Sequence, residues 1–366
     1  MPNIDDVLQT MKKWLWIEDE NQIKIMIGVA IASQFSGDPV WMFIIGPSGS
    51  TKTEILRSLR TSPRIYTLDT FTDKSFISGF SSKKSGEYDL LPQLNGKLLV
   101  VKDFTNFLET GSRREKDATF GVLRQAYDGF YESKFGSLKG KKSYDSTFGI
   151  IGGVTGAIDH YSKIHSLLGE RFLKLRVNYN RKESIKAAFQ HSGDETNMRT
   201  QIAEAVRICL DWYSTQTSVP LLSTPTSLKL QQLADILAIL RSPVPRDWKH
   251  DVDYVLDAEV GTRLGKQLVR LAKSLFQMKT YDYSLILRVA RDSVFPERLR
   301  IVEYLKKHSE ATITGMSDTL KYPRNAIKYG CEDLFYLGAC DRRVNSNTYY
   351  YKLKDDFHQS LLEAKL

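Results

Sequence analysis

The segment between residues 41 and 54 constrains the fold most strongly. It reads Trp-Met-Phe-Ile-Ile-Gly-Pro-Ser-Gly-Ser-Thr-Lys-Thr-Glu, so an apolar run ends in a glycine-containing turn and a Lys-Thr pair then begins a predicted helix over 52–59. Glycines let backbone N–H groups close around phosphate oxygens, and the amino end of a helix adds a partial positive charge. The order of strand, loop and helix therefore predicts an α/β fold with a phosphate-binding loop.

The residue types in this loop suit a nucleoside triphosphate. The Lys52 ammonium would contact the β- and γ-phosphates, and the Thr53 hydroxyl would ligate Mg²⁺. Thr51 departs from the pattern G-x-x-x-x-G-K-[ST], because it stands where the second glycine belongs, and Gly49 supplies part of the lost backbone freedom. The residues predicted to bind the nucleotide are Gly46, Gly49, Ser50, Thr51, Lys52 and Thr53.

Length, charge and cysteine content limit the class of protein. The chain has 366 residues, enough for two or three domains, and a net charge of +9 that favours a polyanionic partner, nucleic acid first. It contains no run of 18 apolar residues and no signal-peptide pattern at its start. Cys209, Cys331 and Cys340 show neither zinc-ligand spacing nor an even disulfide set. We expect a cytoplasmic protein that does not enter a membrane; an ordinary basic protein is the alternative reading of the charge.

Hydrophobic patterning divides the chain into four predicted segments. Residues 1–36 are helical, and residues 37–180 alternate short β-branched runs with helical patterns, which is typical of a parallel α/β sheet. Residues 181–292 are helical again. Residues 293–366 give three helices followed by a hairpin, which predicts a winged helix-turn-helix. The strands predicted for the sheet are 40–45, 64–68, 98–101, 147–154 and 172–177.

Asp103 is the second candidate for the chemistry, because it follows the apolar run 98–101. An acid at the end of such a strand can hold Mg²⁺ through water, often beside a second acid that polarises the attacking water. Here Lys102 and Phe104 flank a single acid. The sequence leaves three interpretations open for Asp103: the metal-shell acid, the water-activating acid, or a surface carboxylate.

Two arginines have positions that suggest contact with phosphate. Arg171 lies immediately before the strand 172–177, where it could project beyond the edge of the subunit and reach a γ-phosphate bound by a neighbour, unless it is a surface cation. Arg263 begins a helix, where the helix dipole disfavours a basic side chain unless an anion is present. A bound phosphate would remove that conflict.

Together these residues resemble the AAA+ ATPases. The resemblance implies an α/β fold: an AAA+ parallel-sheet ATPase core with a helical lid and a C-terminal winged helix-turn-helix, using ATP and Mg²⁺. It places Walker A at residues 46–53, the Walker B acid at Asp103, and sensor 1 at Thr155, where the family usually has Asn. It also implies that Arg171 is the arginine finger supplied in trans and that Arg263 is sensor 2 on the lid.

An insertion before the sensor 1 strand narrows the resemblance. Residues 130–146 predict two short strands around a Gly/Lys tip, similar to the pre-sensor 1 hairpin of the minichromosome maintenance (MCM) helicases. The resemblance implies that Lys139, Lys141 and Lys142 hold the nucleic-acid backbone inside a ring; a solvated Lys-rich loop is the alternative. The whole chain is similar to the MCM-like replication helicases of mobile genetic elements and phages.

The predicted winged helix adds a second set of cations. Arg324 and Lys328 lie on its recognition helix, and Arg342 and Arg343 lie on its wing, where they could contact DNA. A winged helix can also be a protein-docking module, and the sequence leaves both possibilities open.

The resemblance implies an ATP-dependent DNA translocase or helicase that forms a homo-oligomeric ring, a hexamer, and acts on single-stranded or forked DNA in replication of a mobile element or phage. The alternative is an ATP-gated DNA-binding initiator, helicase loader or regulator with slow hydrolysis. The missing second acid and Thr155 favour that alternative, and the basic hairpin favours the motor. The patterns do not distinguish ring sizes, translocation polarities, or DNA from RNA.

Overall fold

The computed structural model describes residues 3–69, 71–77, 89–110, 112–134, 141–160, 171–216, 218–254 and 257–366. The chain forms two compact units. The first comprises Met1–Leu221 and Arg270–Leu285, and the second comprises Leu222–Val269 and Ile286–Leu366. The predicted helical segment 181–292 therefore contributes to both units.

A five-stranded parallel sheet forms the centre of the first unit, as the sequence predicts. Its strand order is β2-β3-β6-β1-β7, and every neighbouring pair is parallel. An antiparallel pair, β4 with β5, stands apart from it. The strands are β1 (Trp41–Ile45), β2 (Ile65–Leu68), β3 (Leu98–Val101), β4 (Phe130–Lys134), β5 (Lys141–Asp145), β6 (Gly149–Val154) and β7 (Phe172–Arg176).

Strand β1, which pairs with β6 and β7, is buried along its whole length, because helices cover both faces of a parallel sheet and leave no position for a polar residue. Its Phe43 ring stacks on Phe172 of β7 with ring centroids 3.9 Å apart. The indole N–H of Trp41 donates to the Phe148 carbonyl at 2.8 Å, which satisfies the one polar atom of that buried side chain. This packing fixes the strand that delivers the glycine loop.

Helices surround the sheet of the first unit. Asn3 and Ser112 cap α1 and α7 through reciprocal capping boxes with Asp6 and Glu115. The helices are α1 (Ile4–Trp14), α2 (Glu20–Ala32), α3 (Lys52–Ser58), α4 (Asp73–Phe76), α5 (Leu90–Leu94), α6 (Phe104–Thr110), α7 (Arg113–Tyr127), α8 (Arg181–Gln190) and α9 (Glu195–Ser214).

The second unit combines helices with a small antiparallel sheet of strand order β8-β10-β9. Ser346 and Asn347 join β9 to β10 with φ of 44° and 61°, the left-handed conformation of a tight hairpin turn. Helices α11 and α12 contribute residues to both units. The elements are α10 (Thr224–Arg241), α11 (Thr262–Gln277), α12 (Tyr283–Ser293), α13 (Pro296–Leu305), β8 (Ala311–Thr312), α14 (Ile313–Leu320), α15 (Arg324–Tyr336), β9 (Cys340–Asn345), β10 (Thr348–Leu353) and α16 (Asp355–Glu363).

Two further observations bear on the sequence-based expectations. Each helix in the described ranges is too short or too polar to traverse a lipid bilayer. Cys209, Cys331 and Cys340 are buried free thiols, and burial raises the pKa of Cys209 and of Cys340 to about 12, so both are protonated at neutral pH.

Candidate active site

Three predicted site residues meet at one edge of the sheet. Lys52, Asp103 and Thr155 follow the carboxyl ends of β1, β3 and β6, respectively, and these three strands are consecutive in the sheet order. Ligands of open parallel sheets bind at the carboxyl ends of the strands. The carboxyl edge is therefore the place where the chain brings its predicted phosphate-binding lysine and its predicted acid together.

Lys52 is buried, with 6% of its surface exposed. Its Nζ donates to the Gly46 carbonyl at 2.9 Å and to the Val154 carbonyl at 2.8 Å. Burial lowers the pKa of this ammonium, and the nearby Asp103 carboxylate opposes that shift. Within the described ranges its hydrogen bonds go to these two neutral carbonyls, so burial of the cation is costly for stability, and such groups concentrate at functional sites.

The loop backbone explains how the motif tolerates its unusual threonine. Thr51 has φ −52° and ψ −8°, a right-handed helical conformation that any residue adopts. Gly49 has φ 77° and takes the left-handed position instead. At Gly46, whose N–H donates to the Val154 carbonyl at 3.1 Å, an added Cβ would lie 3.0 Å from Ser50 Oγ. The loop thus needs glycine at 46 and 49, and not at 51.

The oxygen donors at this edge suit Mg²⁺. Thr53 is half-buried in the first turn of α3, and Asp103 is exposed directly after β3. Asp103 Oδ1 accepts the Asn106 N–H at 3.2 Å, which fixes the carboxylate at the start of α6. Mg²⁺ prefers a hydroxyl or carboxylate together with phosphate and water oxygens. The pair of donors therefore fits a metal brought in by a nucleotide.

The residue before Asp103 is a cation with its own partner. Lys102 Nζ lies 2.5 Å from Asp69 Oδ1, at the end of the neighbouring strand β2. The residue before Asp103 is thus part of an ion pair that connects the ends of β2 and β3. Sequence reasoning missed Asp69, although its position directly after a predicted strand was a usable signal.

Thr155 lies beside a residue that the sequence did not single out. Its backbone N–H donates to Thr105 Oγ1 at 2.9 Å, and Thr105 itself is buried in the first turn of α6. The two threonines connect the ends of β6 and β3. The sensor 1 role that the resemblance implies for Thr155 stays a prediction.

A second ionic cluster occupies the same edge beyond β1. Asp159 Oδ1 accepts hydrogen bonds from Arg176 at 2.9 Å and from the buried Lys174 at 3.3 Å. Burial raises the pKa of Asp159, but the hydrogen bond from Arg176 and the charge of Lys174 outweigh it, so the pKa is lowered overall. Neither basic residue stood out in the sequence, because alternating Lys and Arg also occur on solvent-facing strands.

Arg171 does not project from the subunit in this structure. It is 5% exposed, its Nη2 lies 3.4 Å from Asp128 Oδ2, and its guanidinium lies 5.4 Å from the Tyr127 ring centroid. Tyr127 and Asp128 also line a cavity of about 320 Å³. Because Arg171 precedes β7, it lies at the amino edge, about 16 Å from the carboxyl edge for a five-residue strand. The chain does not bring it to its own Lys52, and the arginine-finger role stays a prediction.

Arg263 belongs to the second unit. Its Nη1 lies 3.1 Å from Oε1 of Glu259, which precedes helix α11. The anion that we expected a bound phosphate to supply is therefore already present as a carboxylate, and this corrects the argument from the helix dipole. The sensor 2 role of Arg263 stays a prediction.

The basic hairpin has the two predicted strands, but one of its three predicted lysines is buried and does not face solvent. Lys142 is buried, and its Nζ donates to the fully buried Asp89 at 2.8 Å, which corrects the prediction that it contacts nucleic acid. Tyr144 donates to the same carboxylate at 2.6 Å. Lys141 is 63% exposed and ion-paired with Glu132 at 2.6 Å. Lys139 lies outside the described residues.

The four cations predicted for the second unit differ in their surroundings. Arg324 is exposed, and Lys328 Nζ lies 3.8 Å from Glu332 Oε1. Arg342 is stacked between two aromatic rings, 4.3 Å from Phe335 and 4.7 Å from Tyr349. Arg343 makes a fork-like pair with Glu310, at 2.7 Å and 2.5 Å. Arg343 thus starts from a formed ion pair, which a phosphate would have to replace.

Comparison with known proteins gives a distant structural similarity. No protein family model matches the chain, and no curated protein matches it. Among solved structures, the chain is similar to a Cytophaga hutchinsonii protein for which an ATPase activity has been suggested, with a TM-score of 0.46 and 12% identity. The similarity covers 80% of this chain and 85% of that one. A similarity of this size assigns neither a family nor an activity.

Proposed function

We propose that the chain binds ATP with Mg²⁺ at the carboxyl edge of its parallel sheet and hydrolyses it, as an ATPase of the AAA+ type. The observation that carries the proposal is the buried Lys52 ammonium. It lies between the glycine loop and β6, near enough to Asp103 for their charges to interact. Burial of this cation does not stabilise the core, whereas binding of a triphosphate requires a cation that neutralises its charge.

The residues have distinct roles in this proposal. Gly46, Gly49 and the intervening backbone would enclose phosphate oxygens, and Lys52 would neutralise the β- and γ-phosphates. Thr53 and Asp103 would hold Mg²⁺, which supplies charge neutralisation on the phosphates when bound. Thr155 would orient the water that attacks the γ-phosphate.

Nucleotide binding requires Lys52 to change partners. In the structure the Lys52 ammonium donates one hydrogen bond to the Gly46 carbonyl and one to the Val154 carbonyl. Phosphate oxygens would replace at least one of these carbonyls, because charge-assisted hydrogen bonds to phosphate are stronger than those to a neutral carbonyl. The ammonium would therefore exchange carbonyl oxygens of the protein for phosphate oxygens of the nucleotide.

The work driven by hydrolysis would be translocation along DNA within a homo-oligomeric ring. The net charge of +9 supports a nucleic-acid partner, and the β4–β5 pair supports a contact element with Lys141 at its exposed end. The helices and hairpin of the second unit have the order of a winged helix, which would contribute Arg324, Lys328 and Arg342. Since Arg171 lies at the amino edge, it would act on the nucleotide of a neighbouring subunit.

One observation favours a slower switch, such as an initiator, a helicase loader or a regulator. Asp103 has Lys102 and Phe104 as its sequence neighbours, and Lys102 pairs with Asp69, so neither neighbour supplies a second acid to polarise the attacking water. Such a protein would bind ATP, change its assembly on DNA, and hydrolyse slowly.

The test is ATP turnover and unwinding of a forked duplex by the full chain, with Lys52→Ala beside it. Lys97→Ala is the matched control, since Lys97 precedes β3 at the opposite edge of the sheet. The motor predicts turnover and unwinding that Lys52→Ala removes and Lys97→Ala retains. The switch predicts slow turnover and ATP-dependent assembly on the same DNA without unwinding. Turnover that survives in Lys52→Ala would reject both.

A further inference from the structure

A tight turn in the second unit presents an exposed tryptophan. Arg246 and Val252 form an antiparallel bridge, and the Asp247 N–H donates to the Asp251 carbonyl at 2.9 Å. The Asp247 carboxylate accepts the backbone N–H groups of Lys249 at 2.8 Å and of Asp251 at 2.9 Å. These bonds close a small hairpin, 246–252, with Trp248 and Lys249 near its tip; we call it the Trp248 hairpin.

The Trp248 hairpin is fixed to helix α15. Arg246 donates to Glu332 at 2.9 Å and to Asp333 at 2.6 Å, and its guanidinium lies 4.5 Å from the Tyr329 ring centroid. The His250 ring stacks on the same Tyr329 ring with centroids 5.8 Å apart. The hairpin is thus held in place before any partner binds, which lowers the entropy that binding must overcome.

The side chains at the tip face solvent. Trp248 is 84% exposed, with Lys249 Nζ 5.0 Å from its ring centroid. Lys249 and His250 are exposed, as is Lys328 on the adjoining helix. A single exposed apolar residue is ordinary on a protein surface. An indole held out by an ordered turn, with the Lys249 ammonium beside it and Lys328 exposed on the adjoining helix, is a formed recognition element.

We propose that the Trp248 hairpin binds single-stranded nucleic acid, with the indole stacked on a base and Lys249, His250 and Lys328 near the phosphates. Stacking on aromatic side chains next to cations is how proteins hold unpaired bases without reading their sequence. The proposal rests on the proposed function as a DNA-dependent ATPase, and it adds a contact element that the basic residues alone do not indicate.

The acids around the hairpin determine the direction of approach. Asp247 is engaged with two backbone N–H groups, while Arg246 and Arg298 neutralise Asp333. Asp251 and Asp253 are exposed on the returning strand. A polyanion therefore approaches from the tip and the α15 side, and base stacking supplies more of the affinity than charge does.

The experiment is equilibrium binding of a fluorescent oligothymidylate to the full chain at several salt concentrations. Trp248→Ala should weaken binding about 5- to 150-fold, the range for loss of one stacked base, with Trp248→Phe between it and wild type. The slope of log K against log salt should stay unchanged in Trp248→Ala. Lys249→Ala should reduce that slope by about 0.7 for one single-strand phosphate contact.

Trp16→Ala is the matched control, since Trp16 is an exposed tryptophan of the first unit; it should bind like wild type. Wild-type affinity in Trp248→Ala would overturn the proposal and leave Trp248 as a contact for a protein. An equal loss in Trp16→Ala, or no binding by wild type, would overturn it as well. Oligothymidylate binding that depends on Trp248, with ATP turnover that ignores Lys52, would reject the proposed ATPase and leave this inference standing.

Discussion

At the scale of single residues, Lys52 is the most informative side chain. The structure buries its ammonium against two carbonyls and places Asp103 close enough to oppose the resulting fall in its pKa. Burial of a charge without a directly paired carboxylate opposes folding. In the proposed function the same cation binds a phosphate. The charge of Lys52 therefore lowers the stability of the fold and is required for nucleotide binding.

The substitution Lys52→Met distinguishes the effect of this charge on stability from its effect on nucleotide binding. Because methionine fills a similar volume without a buried charge, we expect the melting temperature to stay the same or rise, while ATP binding is lost. Thermal unfolding and ATP binding of the same preparation check this. A large fall in the melting temperature would indicate that Lys52 is a structural residue.

At the scale of elements, strand β5 illustrates how a predicted contact becomes part of the core. Lys142, Tyr144 and Ser146 lie at alternate positions and therefore on one face. All three bond to α5 or to Asp89, the residue before it. The second strand of the hairpin is consequently bonded to α5 and to the residue before it. Lys141 lies on the opposite face of β5.

Lys142→Met should destabilise the first unit by about 3–5 kcal/mol, because it leaves the fully buried Asp89 without its cation. Lys141→Met, the adjacent and exposed position, should change the unfolding free energy by less than about 0.5 kcal/mol. Urea unfolding of the two variants measures the difference. Equal stabilities would contradict the assignment of Lys142 to a structural ion pair.

The cluster on β7 predicts an acid-sensitive contribution to stability. The folded-state pKa of Asp159 is lowered, so its contribution is present above the unfolded pKa of about 3.9 and is lost as the pH falls through the folded pKa. Asp159→Asn should cost about 1.5–3 kcal/mol at neutral pH. Its difference from wild type should shrink below about pH 4. A difference that does not vary with pH would rule out the charge as its source.

At the scale of the whole molecule, the separation of Arg171 from Lys52 decides how a nucleotide could be shared. One chain places them at opposite edges of the sheet, and Asp128 and Tyr127 hold Arg171 inward. A second copy is needed for Arg171 to contact ATP, and the Asp128 pair must then open.

Arg171→Ala therefore tests the ring. Loss of an arginine finger should lower ATP turnover about 10³- to 10⁵-fold with little change in ATP affinity. Turnover should recover in part when Arg171→Ala and Lys52→Ala subunits are mixed, because each supplies what the other lacks. Unchanged turnover together with a lower melting temperature would assign Arg171 to the Asp128 pair alone.

The sequence predicts the sheet and the glycine-containing loop before α3 well because they depend on local patterns. A fully apolar five-residue run specifies β1, and Gly49 and Lys52 mark the loop. It cannot predict the partner of Lys142, since Asp89 lies 53 residues earlier in the chain. The helix α16 and the two-residue strand β8 were also missed. Strand β8 is defined by its pairing with β10 rather than by its own residues.

In the proposed function, the carboxyl edge of the sheet binds a nucleotide through Lys52. The most direct measurement is an equilibrium titration of the full chain with a fluorescent ATP analogue and Mg²⁺, using wild type, Lys52→Met and Lys97→Met. Wild type and Lys97→Met should bind the analogue saturably, and Lys52→Met should not bind it. Equal binding by all three proteins would contradict it.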